Sequence, residues 1–93
     1  MIVGVMRVKL YAPYIHSLKE KRMEVKSLTA KVGNKFNVSV AEVDAQNLHQ
    51  TIIIAIALVF SDGMTPDSVW DCILNFIEAN TEAEITEVSR EIR

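Results

Sequence analysis

Few residues of this chain combine the types and spacing that chemistry needs. Lys19, Arg22 and Lys26 recur at i, i+3 and i+7, a spacing that gathers side chains on one side of a helix. Cations gathered in that way suit phosphate oxygens or the carboxylates of an acidic partner. Glu42 and Asp44 are two residues apart, so on a regular strand both carboxylates lie on one face. Glu42 has the parity of a core-facing residue. A structural ion pair of modest worth with Lys21 or Lys26 of the first helix explains it better than acid–base catalysis. His16 and His49 are far apart, with no Cys or carboxylate at metal-ligand spacing, and read as loop histidines. The three glycines never form a phosphate-cradling loop. The single cysteine, Cys72, excludes an internal disulfide and reads as a small core side chain within an apolar helical pattern. With no catalytic residues, metal ligands or cofactor motif in view, the expectation is a non-enzymatic module that takes no cofactor and no small-molecule substrate.

The elements that must carry these residues are organised around Thr51 to Phe60, apolar at every position but the first. Its three consecutive isoleucines, Val59 and Phe60 suit a strand, and ten residues are too few to span a bilayer as a helix. A strand apolar on both faces needs cover on both. Ile2 to Tyr11 alternates, with Ile2, Gly4, Met6, Val8 and Leu10 on one face and Val3, Val5, Arg7, Lys9 and Tyr11 on the other. Arg7 and Lys9 assign the core to the even positions. Ser17-Leu18-Lys19-Glu20 is a capping box, and the helix it opens carries Leu18, Val25, Leu28 and Val32 on one stripe. Gly33-Asn34 predicts a left-handed stop. Phe36 to Val43 alternates as a second strand, and Asp44-Ala45-Gln46-Asn47 is turn chemistry. Ser61-Asp62-Gly63 reads as a loop. Thr65-Pro66-Asp67 starts a second helix, whose stripe is Val69, Cys72, Ile73, Phe76 and Ile77, with Asn80 as its cap. Residues 82–92 favour a last strand whose charges suit a sheet edge but whose facing the pattern does not fix.

This order is β-α-β-β-α-β, the α+β, ferredoxin-like arrangement: one domain over residues 1–93, a four-stranded antiparallel sheet with both helices on one face. Its sheet order, 4-1-3-2, makes the first and third strands the inner pair, and those are the most apolar strands here. Right-handed crossovers put both helices on one side. The other side then shows Val3, Val5, Ala41, Val43, Ile53, Ala55, Ala57 and Val59. Burying the five larger of these yields at most about 8–15 kcal/mol, against an association cost of about 4–15 kcal/mol. The expectation is a homo-oligomer packed sheet to sheet.

Charge is unevenly shared. Residues 1–37 hold eight cations against two acids, and residues 38–93 hold two cations against ten acids, so the molecule is polar if those halves occupy different surfaces. The basic start of the first helix points to RNA or a ribosome, or alternatively to an acidic protein with no nucleic acid involved. A ferredoxin-like sheet binds single-stranded RNA by stacking bases on exposed aromatics. The open face carries Ile53, Ala55 and Ala57 at those central positions, so phosphate contact by the helix is the surviving form. The chain opens Met1-Ile2-Val3-Gly4 with no leader or cleavage signal, and a cytoplasmic protein with no membrane contact is expected.

At Ser17-Leu18-Lys19-Glu20-Lys21-Arg22, Val25-Lys26-Ser27-Leu28 and Asn37-Val38-Ser39-Val40-Ala41-Glu42-Val43-Asp44, the chain resembles the YlxP-like family of small bacterial proteins. The opening Met1 to Val5 fits as well, so the likeness runs through nearly the whole chain. Gln46-Asn47-Leu48-His49-Gln50 is similar to the family's Gln-Asp-Leu-Trp-Gln, with Asn47 and His49 as departures. The resemblance implies a ferredoxin-like fold, a bacterial cytoplasmic protein and, from the translation and ribosome-maturation genes that neighbour those of the family, a link to RNA or ribosomes. It brings no catalytic residues.

Overall fold

Alternation of apolar side chains builds the sheet. The computed structural model describes residues 1–61, 63 and 65–93. Its elements run β1 (Ile2–Tyr11), α1 (Leu18–Lys35), β2 (Ser39–Asp44), β3 (Thr51–Phe60), α2 (Pro66–Ala79) and β4 (Glu84–Ile92). This is the α+β, ferredoxin-like β-α-β-β-α-β arrangement. One antiparallel sheet has the order β2-β3-β1-β4, so the two most apolar strands are inner and charged β4 is an edge. β1 and β3 pair without a break from Ile2 opposite Phe60 to Tyr11 opposite Thr51. Met6, Val8, Leu10, Ile52, Ile54 and Ile56 are wholly buried in one cluster with Val25, Leu28 and Val32 of α1 and Trp70, Ile73 and Ile77 of α2. Both helices therefore cover the even-numbered face. Of the expected loop Ser61-Asp62-Gly63, Asp62 lies outside the described residues.

Ser17 caps α1 by accepting from the Glu20 N–H at 3.1 Å. The Glu20 carboxylate reaches one residue further back than a capping box requires and accepts from the His16 N–H at 3.2 Å. Gly33 and Asn34 do not stop the helix, which runs on to Lys35. Phe36 ends it instead in an extended conformation, its N–H held by the Val32 carbonyl at 3.0 Å. The Phe36 ring meets Phe76 of α2 edge to face at 5.4 Å, and that packing favours carrying the helix on to Lys35 over a glycine cap. β2 consequently begins at Ser39 rather than Phe36. At α2, Thr65 is the N-cap residue and Pro66 opens the helix, but the Thr65 side chain makes no capping bond. The Ser68 hydroxyl donates to the Thr65 carbonyl at 2.9 Å. Asn80 ends the helix, and its side-chain amide donates to the Phe76 carbonyl at 2.8 Å.

Cys72 is not in the core: it is exposed. The inward phase of α2 runs Trp70, Ile73, Ile77, spaced i, i+3 and i+7, so Cys72 falls outside it. Trp70 lies edge to face on Phe60 at 5.5 Å, and both rings lie over Gly4. A Cβ at Gly4 would stand 2.4 Å from Phe60 and 2.8 Å from Trp70, so this strand glycine makes room for two aromatic rings.

Two bulges set the facing of the edge strands. β2 and β3 lose register between Glu42 and Asp44: Glu42 faces Ile54 and Asp44 faces Ile53, with Val43 as the extra residue. Glu42 and Asp44 therefore do not share a face, because the inserted residue reverses the alternation beyond it. β4 slips against β1 between Lys9 and Leu10, so that Glu87 is opposite Lys9 and Ile85 opposite Leu10. Ile85 and Val88, three apart, thereby both take the helix side. This odd step is what hides the facing of β4 from its sequence.

Gly4→Ala should lower stability by about 1–3 kcal/mol through overpacking. Gly33→Ala, whose Cβ meets only Val40 at 3.8 Å, should raise it by about 0.5–1 kcal/mol through helix propensity. Urea unfolding followed by circular dichroism measures both, and equal effects of one sign would contradict this packing.

Candidate interaction surfaces

The loops that present the two candidate surfaces are fixed by a buried lysine. Lys21 shares the phase of Val25, Leu28 and Val32, and none of its surface is exposed. Its ammonium lies 2.8 Å from Glu42 Oε2 on β2 and donates to the Ala45 carbonyl. The Glu42 contact is a close ion pair, and its angle does not align a hydrogen bond on that oxygen. Ala45 has φ 54°, a left-handed conformation that costs a non-glycine residue about 1–2 kcal/mol. Its carbonyl also accepts from the Leu48 N–H at 3.0 Å. Gln50 closes the same loop by donating to the Pro13 carbonyl at 3.1 Å and the Ile15 carbonyl at 3.3 Å. The expected pairing of Glu42 with the first helix is thus made by Lys21. Because the pair is buried, breaking it costs more than breaking one at the surface.

The face of the sheet away from the helices has nothing over it among the described residues. Val3, Val5, Ile53, Ala55 and Ala57 are half-buried, and Ala41, Val43 and Val59 are exposed, Val59 by 60% and Val43 by 48%. The face divides along its strands. Val3, Val5, Ala57 and Val59 make an apolar end. At the other end Arg7 pairs with Asp44 at 2.8 Å, and a shallow groove of about 480 Å³ is lined by Arg7, Lys9, Ile53, Glu87 and Ser89. Sequence reasoning placed Arg7 and Lys9 here but missed Asp44 and Glu87, whose facing depends on the bulges.

Lys19, Arg22 and Lys26 are all exposed and stand on one flank of α1. None is ion-paired among the described residues, whereas the helix's two acids are engaged. Glu20 closes the N-terminus. Glu24, on the other flank, accepts from Thr81 at 2.7 Å and from the Tyr14 hydroxyl at 3.3 Å. Burial pushes the Tyr14 phenol above its ordinary value; the Thr81 hydrogen bond works against this, and the Glu24 and Glu82 charges add to it. The Glu24 flank turns toward Thr81 after α2, so the basic flank turns away from α2, beyond edge strand β2.

Among the described residues no three His, Cys, Asp or Glu side chains are grouped to hold a metal, and no helix is long and apolar enough to cross a membrane.

Known proteins of similar sequence carry the family likeness. The family model described as a protein of unknown function, DUF503, matches residues 3–90. The uncharacterized protein YlxP of Bacillus subtilis (strain 168) is 39% identical over 70 residues, 75% of this chain and 76% of that protein. These matches bear out the YlxP-like resemblance. Among solved structures, the de novo designed protein Foldit4 aligns with a TM-score of 0.49 at 17% identity, over 99% of this chain and 94% of that one.

Glu42→Ala strands a buried ammonium and should cost about 3–5 kcal/mol, whereas Lys21→Met combined with Glu42→Leu should recover most of that loss. Thermal unfolding of the single and double variants decides it; a loss under about 1 kcal/mol for Glu42→Ala would make the pair a surface-type contact.

Proposed function

The chain belongs to the DUF503 family of proteins of unknown function, and from that premise we propose a non-catalytic, cytoplasmic interaction module. It pairs with a second copy through the open sheet face and meets RNA or the ribosome through Lys19, Arg22 and Lys26. The observation that carries this reading is the asymmetry of the sheet. Even positions of β1 and β3 other than Ile2 are sealed, while Val3, Val5, Ile53, Ala55, Ala57 and Val59 keep surface in water. An apolar patch of that kind usually marks an interaction site. Ala41 and Val43 extend the patch to the edge strand.

The RNA contact is supported by the flank of α1, whose cations have no ion pair among the described residues. Three unneutralised cations span about 10 Å of helix, a reach that suits successive phosphates of one strand. Capture of an acidic protein by the same flank, without nucleic acid, is the alternative. Nuclease treatment separates the two: complexes in a cell extract that survive it are protein-held.

Sedimentation at high micromolar concentration and about 500 mM salt, which screens contacts between charged flanks, should show a dimer or larger species that Ala57→Asp converts to monomer. Wild-type protein that stays monomeric there overturns the self-pairing.

RNA affinity should fall about twentyfold between 50 and 200 mM salt if three phosphates are engaged. Replacing Lys19, Arg22 and Lys26 by Glu should abolish it with the fold intact by circular dichroism. Unchanged binding by that variant removes the helix from the interface.

A further inference from the structure

A second, oppositely charged helix flank lies across the molecule from the basic one. On α2, Asp67, Asp71, Leu74 and Glu78 follow at i, i+4, i+7 and i+11, so they share one side of the helix. That side faces β4, because Arg90 of β4 reaches both Asp67 at 3.3 Å and Asp71 at 3.2 Å. Between α2 and β4 runs an open groove of about 710 Å³, with Leu74, Ile85 and Val88 on its floor and Asp71, Glu78 and Glu84 on its rim. Glu78 and Glu84 have no cation beside them among the described residues. The outward side of α1 has the opposite make-up. Met23, which is 65% exposed, lies beside Lys19 and Lys26 at the margin of the basic flank, with Ala30 further along the same side. One stripe is basic beside an apolar side chain, and the other is acidic over an apolar floor.

We propose that the basic side of α1 docks in the α2–β4 groove of a second copy of this chain. Met23 then meets the Leu74–Val88 floor, and Lys19, Arg22 and Lys26 oppose Glu78, Glu84 and Asp71. Charge complementarity selects a second copy as the occupant, since the chain displays both halves of the match. The two surfaces differ and lie at opposite edges of the helix layer, so the contact is head to tail. It extends into rings or short filaments rather than closing as a dimer. This contact shares only the flank of α1 with the function proposed above, requires neither RNA nor the open sheet face, and competes with RNA for the same cations.

The test uses two variants of the full chain. In one, Lys19, Arg22 and Lys26 become Glu; in the other, Glu78 and Glu84 become Lys, sparing Asp71 and its bond to Arg90. Wild-type protein should form assemblies in sedimentation velocity that shrink as salt rises from about 50 to 500 mM. Each variant alone should lose them, with association weakened about tenfold or more, and an equimolar mixture should regain them. The Glu78→Lys, Glu84→Lys variant should bind a single-stranded RNA oligonucleotide as well as wild type, and that RNA should dissolve the wild-type assemblies. Variants that assemble like wild type, or a mixture no larger than its parts, overturn the contact. Open-face pairing is read separately: it persists in both charge variants and is lost in Ala57→Asp. Loss of one kind of association with survival of the other therefore tells the two readings apart.

Discussion

A charge inside the helix–sheet interface organises this fold. Lys21 sits one turn before Val25 on the buried stripe of α1, where an apolar residue would serve packing as well. Its ammonium holds Glu42 and the Ala45 carbonyl together. Three separate pieces of chain, the start of α1, the end of β2 and the turn after it, are thereby fixed to one atom. Burying a lysine gains little over a hydrophobic side chain of the same volume, but leaving it unpaired is severe. The arrangement therefore penalises every other register of β2 more than it rewards this one. That specificity has a visible consequence at the bulge, where Glu42 is held inward and the extra residue, Val43, sends Asp44 outward to Arg7.

The other half of the sandwich is set by close packing. Gly4 lets Phe60 and Trp70 meet over the sheet, and Phe36 meets Phe76 between the ends of the helices. Neither contact involves a charge, and each joins separate elements of the fold. One end of the helix layer is thus fixed electrostatically and the other by ring packing. The open sheet face, reached by neither device, keeps its apolar end in water.

The sheet is legible in the sequence because its signal is local. Strict alternation in Ile2–Tyr11 and the unbroken apolar run Thr51–Phe60 specify inner strands, and their bounds follow from Pro13 and the polar turn after β2. The capping box locates the start of α1 for the same reason. What stays hidden depends on partners far along the chain. Asp44 and Thr86 lie at register slips that no single strand displays. Cys72 lies outside the buried stripe because the phase of α2 follows Trp70, whose ring packs on Phe60 over Gly4, more than sixty residues earlier. Lys21 is legible as a partner for Glu42, but its full burial is not, because its charge argues for water although its spacing to Val25, Leu28 and Val32 is that of a core residue. Phase, in that case, outweighs residue type.

The same register effects decide where an anionic partner can bind. As a regular strand, β2 would put Asp44 beneath the helices and leave Arg7 and Lys9 as bare cations on the open sheet face. The bulge puts Asp44 against Arg7, and the slip in β4 sets Glu87 opposite Lys9. Arg7 so paired offers phosphates little, since an incoming anion must displace a carboxylate already in place, and Lys9 has an acidic cross-strand neighbour that repels anions. The centre of that face also lacks aromatic rings on which bases could stack. Among the described residues, positive charge without a local counterpart is left on α1, whose own acids are turned to capping and to the Tyr14–Thr81 contact. The helix flank and the sheet face are therefore complementary in chemistry. One can attract anions at a distance, and the other can only bury apolar surface at contact. A partner of either kind is directed to its own side of the molecule.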